Sequence, residues 1–189
     1  MNIVIVGDGK VGATLVEHLS TEGHDVVVID RDQKIVEQMV NSFDVMGICG
    51  NGANCEVQLE AGVQSADLFI AATSSDELNI LSCLMAKKAG AAHTIARVRN
   101  PDYLNQLPFF KDALGLSMIV NPELDAANEI AKVLRFPNAT NIETFYRGLV
   151  DLVELKIDSG NPLCNMQLTD IFNKFDVKIL ICAVQRKNE

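Results

Sequence analysis

A doubly wound α/β fold, a parallel sheet with helices on both faces, follows from three features of the sequence. Short β-branched runs alternate with segments of helical periodicity through most of the chain. Runs such as Val26-Val27-Val28-Ile29 have no polar face, as expected of a strand buried on both sides. A glycine-rich turn, Gly7-Asp8-Gly9-Lys10-Val11-Gly12, separates the first strand from the first helix.

The elements follow in order. Asn2–Val6 is the first strand. Val11, Leu15, Val16 and Leu19 recur at helical spacing, so Lys10–Glu22 is a helix ended by Gly23. Val26–Ile29 is the second strand. Asp32 caps a helix striped by Ile35, Met39 and Val40. Val45–Cys49 is a third strand made irregular by Gly47. Gly50-Asn51-Gly52 breaks the chain before a short helix, Cys55–Ala61, closed by Gly62. Leu68–Ala72 is strand four. Thr73–Glu77 supplies caps and first-turn acids to a helix whose expected apolar stripe is Ile80, Leu81, Leu84 and Met85. Thr94–Val98 and Met118–Val120 are strands five and six, with a polar connection opening at Pro101. Pro122 starts a helix with Leu124, Ala127, Ile130, Ala131 and Leu134 on one side.

The pattern changes at Phe136–Asn141, where Pro137 and Asn138 form a linker or hinge. Beyond it, Ile142–Phe145 and Leu149–Ile157 read as antiparallel strands. Leu168, Ile171, Phe172 and Phe175 mark a helix, and Val177–Val184 a last strand. The expected domains are a nucleotide-binding unit over 1–137 and a small α+β unit over 141–189. A unit of about 50 residues is marginal alone, which implies a truncated domain or one completed by a partner chain.

Hydrophobic residues make up 48% of the chain and charged residues 22%, as in a soluble globular protein, and the formal net charge is −9. With no basic cluster beyond Lys87-Lys88, that balance argues against nucleic acid and against anionic lipid. No apolar run approaches the roughly 18 residues that span a bilayer, and the start lacks the basic region of a signal peptide. The five cysteines (49, 55, 83, 164 and 182) form no CxxC pair and read as reduced thiols in a cytoplasm. A zinc site would require Cys49, Cys55 and a histidine to meet. His18, His24 and His93 read as surface residues.

Gly7–Gly12 fits G-x-G-x-x-G. Gly7 permits the tight turn, Gly9 lets a pyrophosphate approach the backbone, and Gly12 lets the helix pack closely on the sheet. The N–H groups of Lys10, Val11 and Gly12 then face the ligand with the helix dipole behind them. Asp30 ends the second strand, 18 residues after Gly12, where a carboxylate accepts bonds from ribose hydroxyls and repels a 2′-phosphate. These parts in this order predict a Rossmann-type nucleotide site. Arg31 either stacks on adenine or binds a 2′-phosphate. Gly50-Asn51-Gly52-Ala53 and Thr73-Ser74 fall at the ends of strands three and four, where open α/β sheets bind ligands. The hydroxyls there serve either a ribose or phosphate or simply the helix cap. Arg97, near the end of strand five, reaches a terminal phosphate or the second nucleotide, or forms a surface ion pair with an acid. Arg99 is expected on the opposite face.

The chain has no Tyr-x-x-x-Lys, no GxxxxGK[ST], no HExxH and no nucleophile elbow, and its short second unit offers no clear acid–base group or substrate domain. The competing class is an NAD-dependent oxidoreductase or epimerase, with Lys10 or Tyr103 as acid–base group. A redox sensor using Cys49 and Cys55 is a third reading and predicts a disulfide.

Five stretches together resemble the TrkA family, the cytosolic regulatory subunits of bacterial Trk-type potassium uptake systems, also called KTN or RCK domains. They are Val4–Gly12, Val27–Asp32, Gly50–Gly62, Ala66–Asn79 and Ile95–Tyr103. The resemblance implies a binding module, not an enzyme, that holds NAD(H) or ATP/ADP in the Rossmann cleft. It also implies assembly as homo-oligomeric dimers or rings against a membrane potassium channel or transporter subunit. The protein would then be cytoplasmic, peripheral on the inner face of the membrane, and nucleotide exchange would gate potassium flux. The family's nucleotide positions map onto Gly7, Asp8, Gly9, Lys10, Val11, Asp30, Thr73, Ser74 and Arg97. Asn51 stands where the family often carries an acid. The segment after Asn141 resembles the start of the family's C-terminal ligand-binding domain.

Overall fold

The computed structural model describes residues 1–7, 9–104, 106, 109, 114–175 and 180–186. The chain divides into two compact units, Met1–Ala127 and Asn128–Glu189.

The first unit is built on six parallel strands: β1 (Asn2–Val6), β2 (Asp25–Asp30), β3 (Met46–Cys49), β4 (Leu68–Ala71), β5 (His93–Arg97) and β6 (Met118–Val120). Their order across the sheet is β3-β2-β1-β4-β5-β6, so the winding reverses between β1 and β4. The linking helices are α1 (Lys10–Thr21), α2 (Gln33–Ser42), α3 (Cys55–Glu60), α4 (Asp76–Ala89) and the short α5 (Pro101–Leu104). This is the expected Rossmann-type doubly wound sheet.

Alternation along β1 sends its side chains into two cores. Ile3 and Ile5 join Val16, Val26, Val28, Met39 and Ile70 on the face where α1 and α2 pack. Val4 and Val6 join Phe69, Ala71, Cys83, Ala86 and Ala96 on the face of α3 and α4. The run of buried positions in β1 is therefore the mark of a strand covered on both sides. Gly47, in the edge strand β3, sits beneath α2: a Cβ there would stand 2.5 Å from Val36 and 2.7 Å from Val40.

One expectation is corrected at α4. The residues it buries are Asp76, Asn79, Ser82, Cys83 and Ala86, whereas Leu81 of the expected stripe is 47% exposed and Ile80, Leu84 and Met85 are half-buried. Small side chains let the helix approach the sheet closely, and the buried Asp76 and Asn79 bind backbone groups that no apolar residue could satisfy. Burial in turn holds the Cys83 thiol up at about 12, so it is neutral and inert.

Helix α6 (Pro122–Arg135) begins in the first unit, and its Asn121 cap accepts the Leu124 N–H at 3.0 Å. It buries no residue. Of its expected apolar stripe, Leu124, Ile130 and Leu134 are 45%, 63% and 75% exposed.

The second unit contains an antiparallel hairpin, β7 (Ala139–Phe145) with β8 (Val150–Leu155), and helix α7 (Leu168–Phe175). The expected last strand, Val177–Val184, is corrected in part. Leu180–Val184 form no strand, with no strand among the described residues pairing with them, and Val177–Ile179 lie outside the described residues.

Candidate functional site

The carboxyl ends of five neighbouring strands meet along one edge of the first sheet. Gly7 follows β1, Asp30 ends β2, Gly50–Gly52 follow β3, Thr73 and Ser74 follow β4, and Arg97 ends β5.

Gly7 is buried, with φ of +88°, and donates its N–H to the Ile29 carbonyl at 2.9 Å. A Cβ at this position would stand 2.7 Å from Thr73 Cγ2 and 2.8 Å from the Thr73 backbone. The first turn of the loop is therefore pressed against the end of β4, and only glycine fits. Gly9 differs: it caps α1 with no side chain, and a Cβ there would meet nothing within 4 Å. Its missing side chain leaves space open in front of the helix. The other helices of the sheet are closed by side chains. Asp32 accepts from Lys34 N before α2, Asn54 from Glu56 N before α3, and Ser75 from Leu78 N before α4. Among the described residues, α1 alone of these four carries no capping side chain. Its first N–H groups, which include those of Lys10, Val11 and the buried Gly12, face that open space. Asp8 lies outside the described residues.

Asp30 is half-buried. Its Oδ1 accepts the Asp32 N–H at 2.9 Å, and its carbonyl accepts the Gly50 N–H at 2.8 Å, which joins the ends of β2 and β3. Arg31 is exposed beside it. The exposed Asn51 turns its Oδ1 back to the Ala53 N–H at 3.2 Å, shaping its own loop. Gly52 is pressed onto Val6, where a Cβ would stand 2.0 Å from Cγ1. Gln58, fully buried, fixes this loop by donating Nε2 to the Gly52 carbonyl at 2.6 Å and to the Ser82 carbonyl at 2.9 Å.

At the other side of the switch point a buried asparagine organises the edge. Asn79 Oδ1 accepts from the Thr73 N–H at 2.8 Å and from the Thr73 hydroxyl at 2.6 Å. Its Nδ2 donates to the carbonyls of Thr73 at 3.1 Å and Arg97 at 2.8 Å. The Thr73 hydroxyl is thereby engaged inside the protein, while Ser74 is exposed. Asp76, also buried, accepts the N–H groups of Arg99 at 2.8 Å and Asn100 at 2.7 Å.

Arg97 pairs through Nη2 with Glu123 in the first turn of α6, and its buried Nε has no hydrogen-bond partner. Burial opposes the charge on Glu123. Its own backbone N–H and the Arg97 guanidinium outweigh that and hold its carboxyl below the ordinary value. Arg99 is not on the far face as expected: residues two apart along a strand share a face, so alternation itself would put Arg99 on the side of Arg97. It reaches the Ser74 carbonyl and faces Asp76 at 3.5 Å.

Of the acid–base candidates, Lys10 is exposed at the start of α1. The Tyr103 hydroxyl donates to Glu77 at 2.8 Å, and that bond raises its pKa. All five cysteines are free thiols, and no group of three metal-binding side chains occurs among the described residues. His18 and His93 are exposed, and the half-buried His24 lies 3.6 Å from Glu22.

Asn79, Asp76, Gln58 and Glu123 were not singled out by sequence. The available signal was the polar residues at positions 76, 79 and 82 of α4, one helical face that hydrophobic counting ignores.

Residues 3–122 match the TrkA-N domain family. The chain belongs to that family. A Trk system potassium uptake protein TrkA homolog of Archaeoglobus fulgidus is 39% identical over 186 residues, which is 98% of this TrkA-N chain and 42% of the relative. The chain thus spans less than half of that protein's length. Among solved structures, the TrkA-N domain of the Escherichia coli inner membrane protein ybaL superposes with a TM-score of 0.63 at 23% identity, covering 70% of this chain and 96% of that one. The GsuK channel bound to NAD gives 0.58 at 20% identity, covering 77% of this chain and 25% of that one. At these identities both likenesses are of fold. No helix among the described residues is long and apolar enough to cross a membrane.

Proposed function

We propose that this TrkA-N chain is the nucleotide-binding regulatory module of a Trk-type potassium uptake system, and not an enzyme. The observation that carries the reading is the uncapped start of α1 opening on the space in front of Gly9, with Asp30 at the end of the adjacent strand. A pyrophosphate accepts bonds from the N–H groups of Gly9, Lys10, Val11 and Gly12, with Gly7 holding the turn. Asp30 holds the adenosine ribose. Arg31 and Asn51 flank that half, and Ser74 and Arg97 flank the far half, with Thr73 setting the wall between them. NAD(H) and ATP/ADP both meet this description, and a quarter of the NAD-bound GsuK channel shares this chain's fold. NADP is disfavoured by the Asp30 charge.

The nucleotide domain extends over 1–137 and the second domain over 141–189. The module works at the cytoplasmic face of the membrane, as a homo-oligomer against a membrane transporter subunit. The α6 face that buries nothing supports a role in assembly. Ligand exchange gates potassium flux by favouring the conformation that binds the ligand more tightly.

Titration calorimetry with NAD, NADH, ATP, ADP and NADP tests the reading. Binding of an adenine nucleotide without turnover is expected, weakened by Asp30→Ala about 10-fold or more. Absence of binding, or consumption of the dinucleotide, overturns it.

A further inference from the structure

The loop that follows β3 is closed on itself. Asn51 accepts twice within it, through its carbonyl from the Asn54 N–H at 2.8 Å and through Oδ1 from the Ala53 N–H at 3.2 Å. A segment tied in this way moves as one body, so its position depends on its outside attachments. One is the Gly50 N–H, which donates to the Asp30 carbonyl at 2.8 Å. The other is Gln58. This residue of α3 has no exposed surface, and its Nε2 donates to the Gly52 carbonyl at 2.6 Å and to the Ser82 carbonyl of α4 at 2.9 Å. Both partners are carbonyl oxygens, so only the NH2 end of the amide can face them. The buried Oε1 has no donor among the described residues. An enclosed amide with one end unsatisfied is costlier than leucine or methionine in the same space. The two bonds that its other end makes are what an apolar residue could not supply.

We infer that Gln58 is a positioning residue for the adenosine half of the ligand: it draws the Gly52 carbonyl inward and so sets the Gly50–Asn54 loop beside Asp30. The inference rests on the nucleotide site proposed above, and Gln58 itself touches no ligand. With its carbonyl held, Gly52 stays seated on Val6, the residue before the Gly7 turn. Without that bond the peptide after Gly52 is free to rotate, and glycine offers little resistance to such rotation. The loop then lifts from the end of β1 into the space beside Asp30. The second bond gives the loop a reference point. Ser82 lies about one helical turn beyond Asn79, which holds the backbones of Thr73 and Arg97. Helix α4 therefore anchors both rims of the cleft, the ends of β4 and β5 through Asn79 and the loop after β3 through Gln58.

Calorimetry with ADP on the unmodified chain, Gln58→Met and Ser82→Ala tests this, with thermal melts to establish that each is folded and amide exchange read by mass spectrometry. Methionine keeps the length of the side chain and removes both donated bonds. Gln58→Met is expected to weaken ADP binding about 3- to 10-fold. Amide exchange should quicken across Gly50–Asn54 and stay unaltered along α1. Ser82→Ala removes a hydroxyl from the same buried place but leaves the Ser82 carbonyl to Gln58, and ADP affinity is expected to hold. Unchanged ADP affinity in Gln58→Met overturns the inference. So does an equal loss in Ser82→Ala, or exchange that quickens as much in α1 as in the loop, because the residue would then serve packing alone. If Gln58→Met does not fold, Gln58→Leu takes its place. Failure of the unmodified chain to bind any adenine nucleotide overturns the site itself, a result distinct from binding that Gln58→Met leaves unmoved.

Discussion

The two compact units solve the same problem of covering apolar surface in opposite ways. In the first, β1 and β4 place buried residues on both sides of the sheet, with Ile5, Phe69 and Ala71 fully enclosed. In the second, the strands alternate only between half-buried and exposed positions, and Ile171 is the one buried residue among those described. A parallel sheet wound on both faces encloses its own core. A lone hairpin has a face with nothing of its own to cover it, which is why Phe145, Leu149 and Leu152 remain open. Stability of this chain is therefore expected to reside in the sheet, and its association in the elements that follow.

Substitution tests that division. Phe69→Ala should cost about 3–5 kcal/mol in chemical denaturation, because a fully enclosed ring leaves a cavity between α3, α4 and the sheet. Leu134→Ala, on the open face of α6, should fall within about 0.5 kcal/mol. If dilution lowers the melting temperature and Leu134→Ala removes that dependence, the open face is covered by a second copy and the contrast between the units is one of assembly.

A smaller loss is expected from Asn79→Ala, about 1–3 kcal/mol, since four backbone and hydroxyl partners on Thr73 and Arg97 lose their bonds. Because Thr73 presses on Gly7, this variant should also weaken adenine-nucleotide binding. An unaffected affinity would show that Asn79 supports the sheet and not the loop.

The smallest effect concerns the surface of the first unit. Glu77 accepts from its own backbone N–H, from Tyr103 and from Ser75, all of which lower its pKa. Its contribution is then complete above the ordinary carboxylate value near 4.5 and fades as pH falls through the lowered one. Tyr103→Phe should make the melting temperature slightly less sensitive to acid below that value, and identical acid profiles would remove Tyr103 from the account.

Much of this molecule was legible in the order of its residues because the chemistry involved is local. The β-branched runs, the caps at Asp32 and Ser75, and the left-handed Gly62 each depend on neighbours a few positions away. The tight turn at Gly7 was legible for the same reason, and so was the placement of Asp30 at the end of β2. What escaped was set by distance in sequence or by chemistry that hydrophobicity does not register. Glu123 lies 26 positions from Arg97 and is one of many acids. The face of α4 was misread because Ile80 and Leu81 outrank Asn79 and Asp76 in apolarity, yet the polar pair satisfies the ends of β4 and β5. Arg99 was misplaced by a miscounted alternation, since residues two apart along a strand share a face.

The cysteines supply an unplanned optical handle. Cys49 pairs in register with Asp30 at the end of β3, is exposed, and points its thiol at the Arg31 carbonyl at 3.5 Å. Cys83 is enclosed and protonated far above neutral pH. With Cys55, Cys164 and Cys182 changed to serine, a thiol-reactive fluorophore would attach beside the ribose position proposed at Asp30 and leave the core untouched. The ligand's arrival could then be followed as a change in emission, in the same sample and at concentrations too low for heat to be measured.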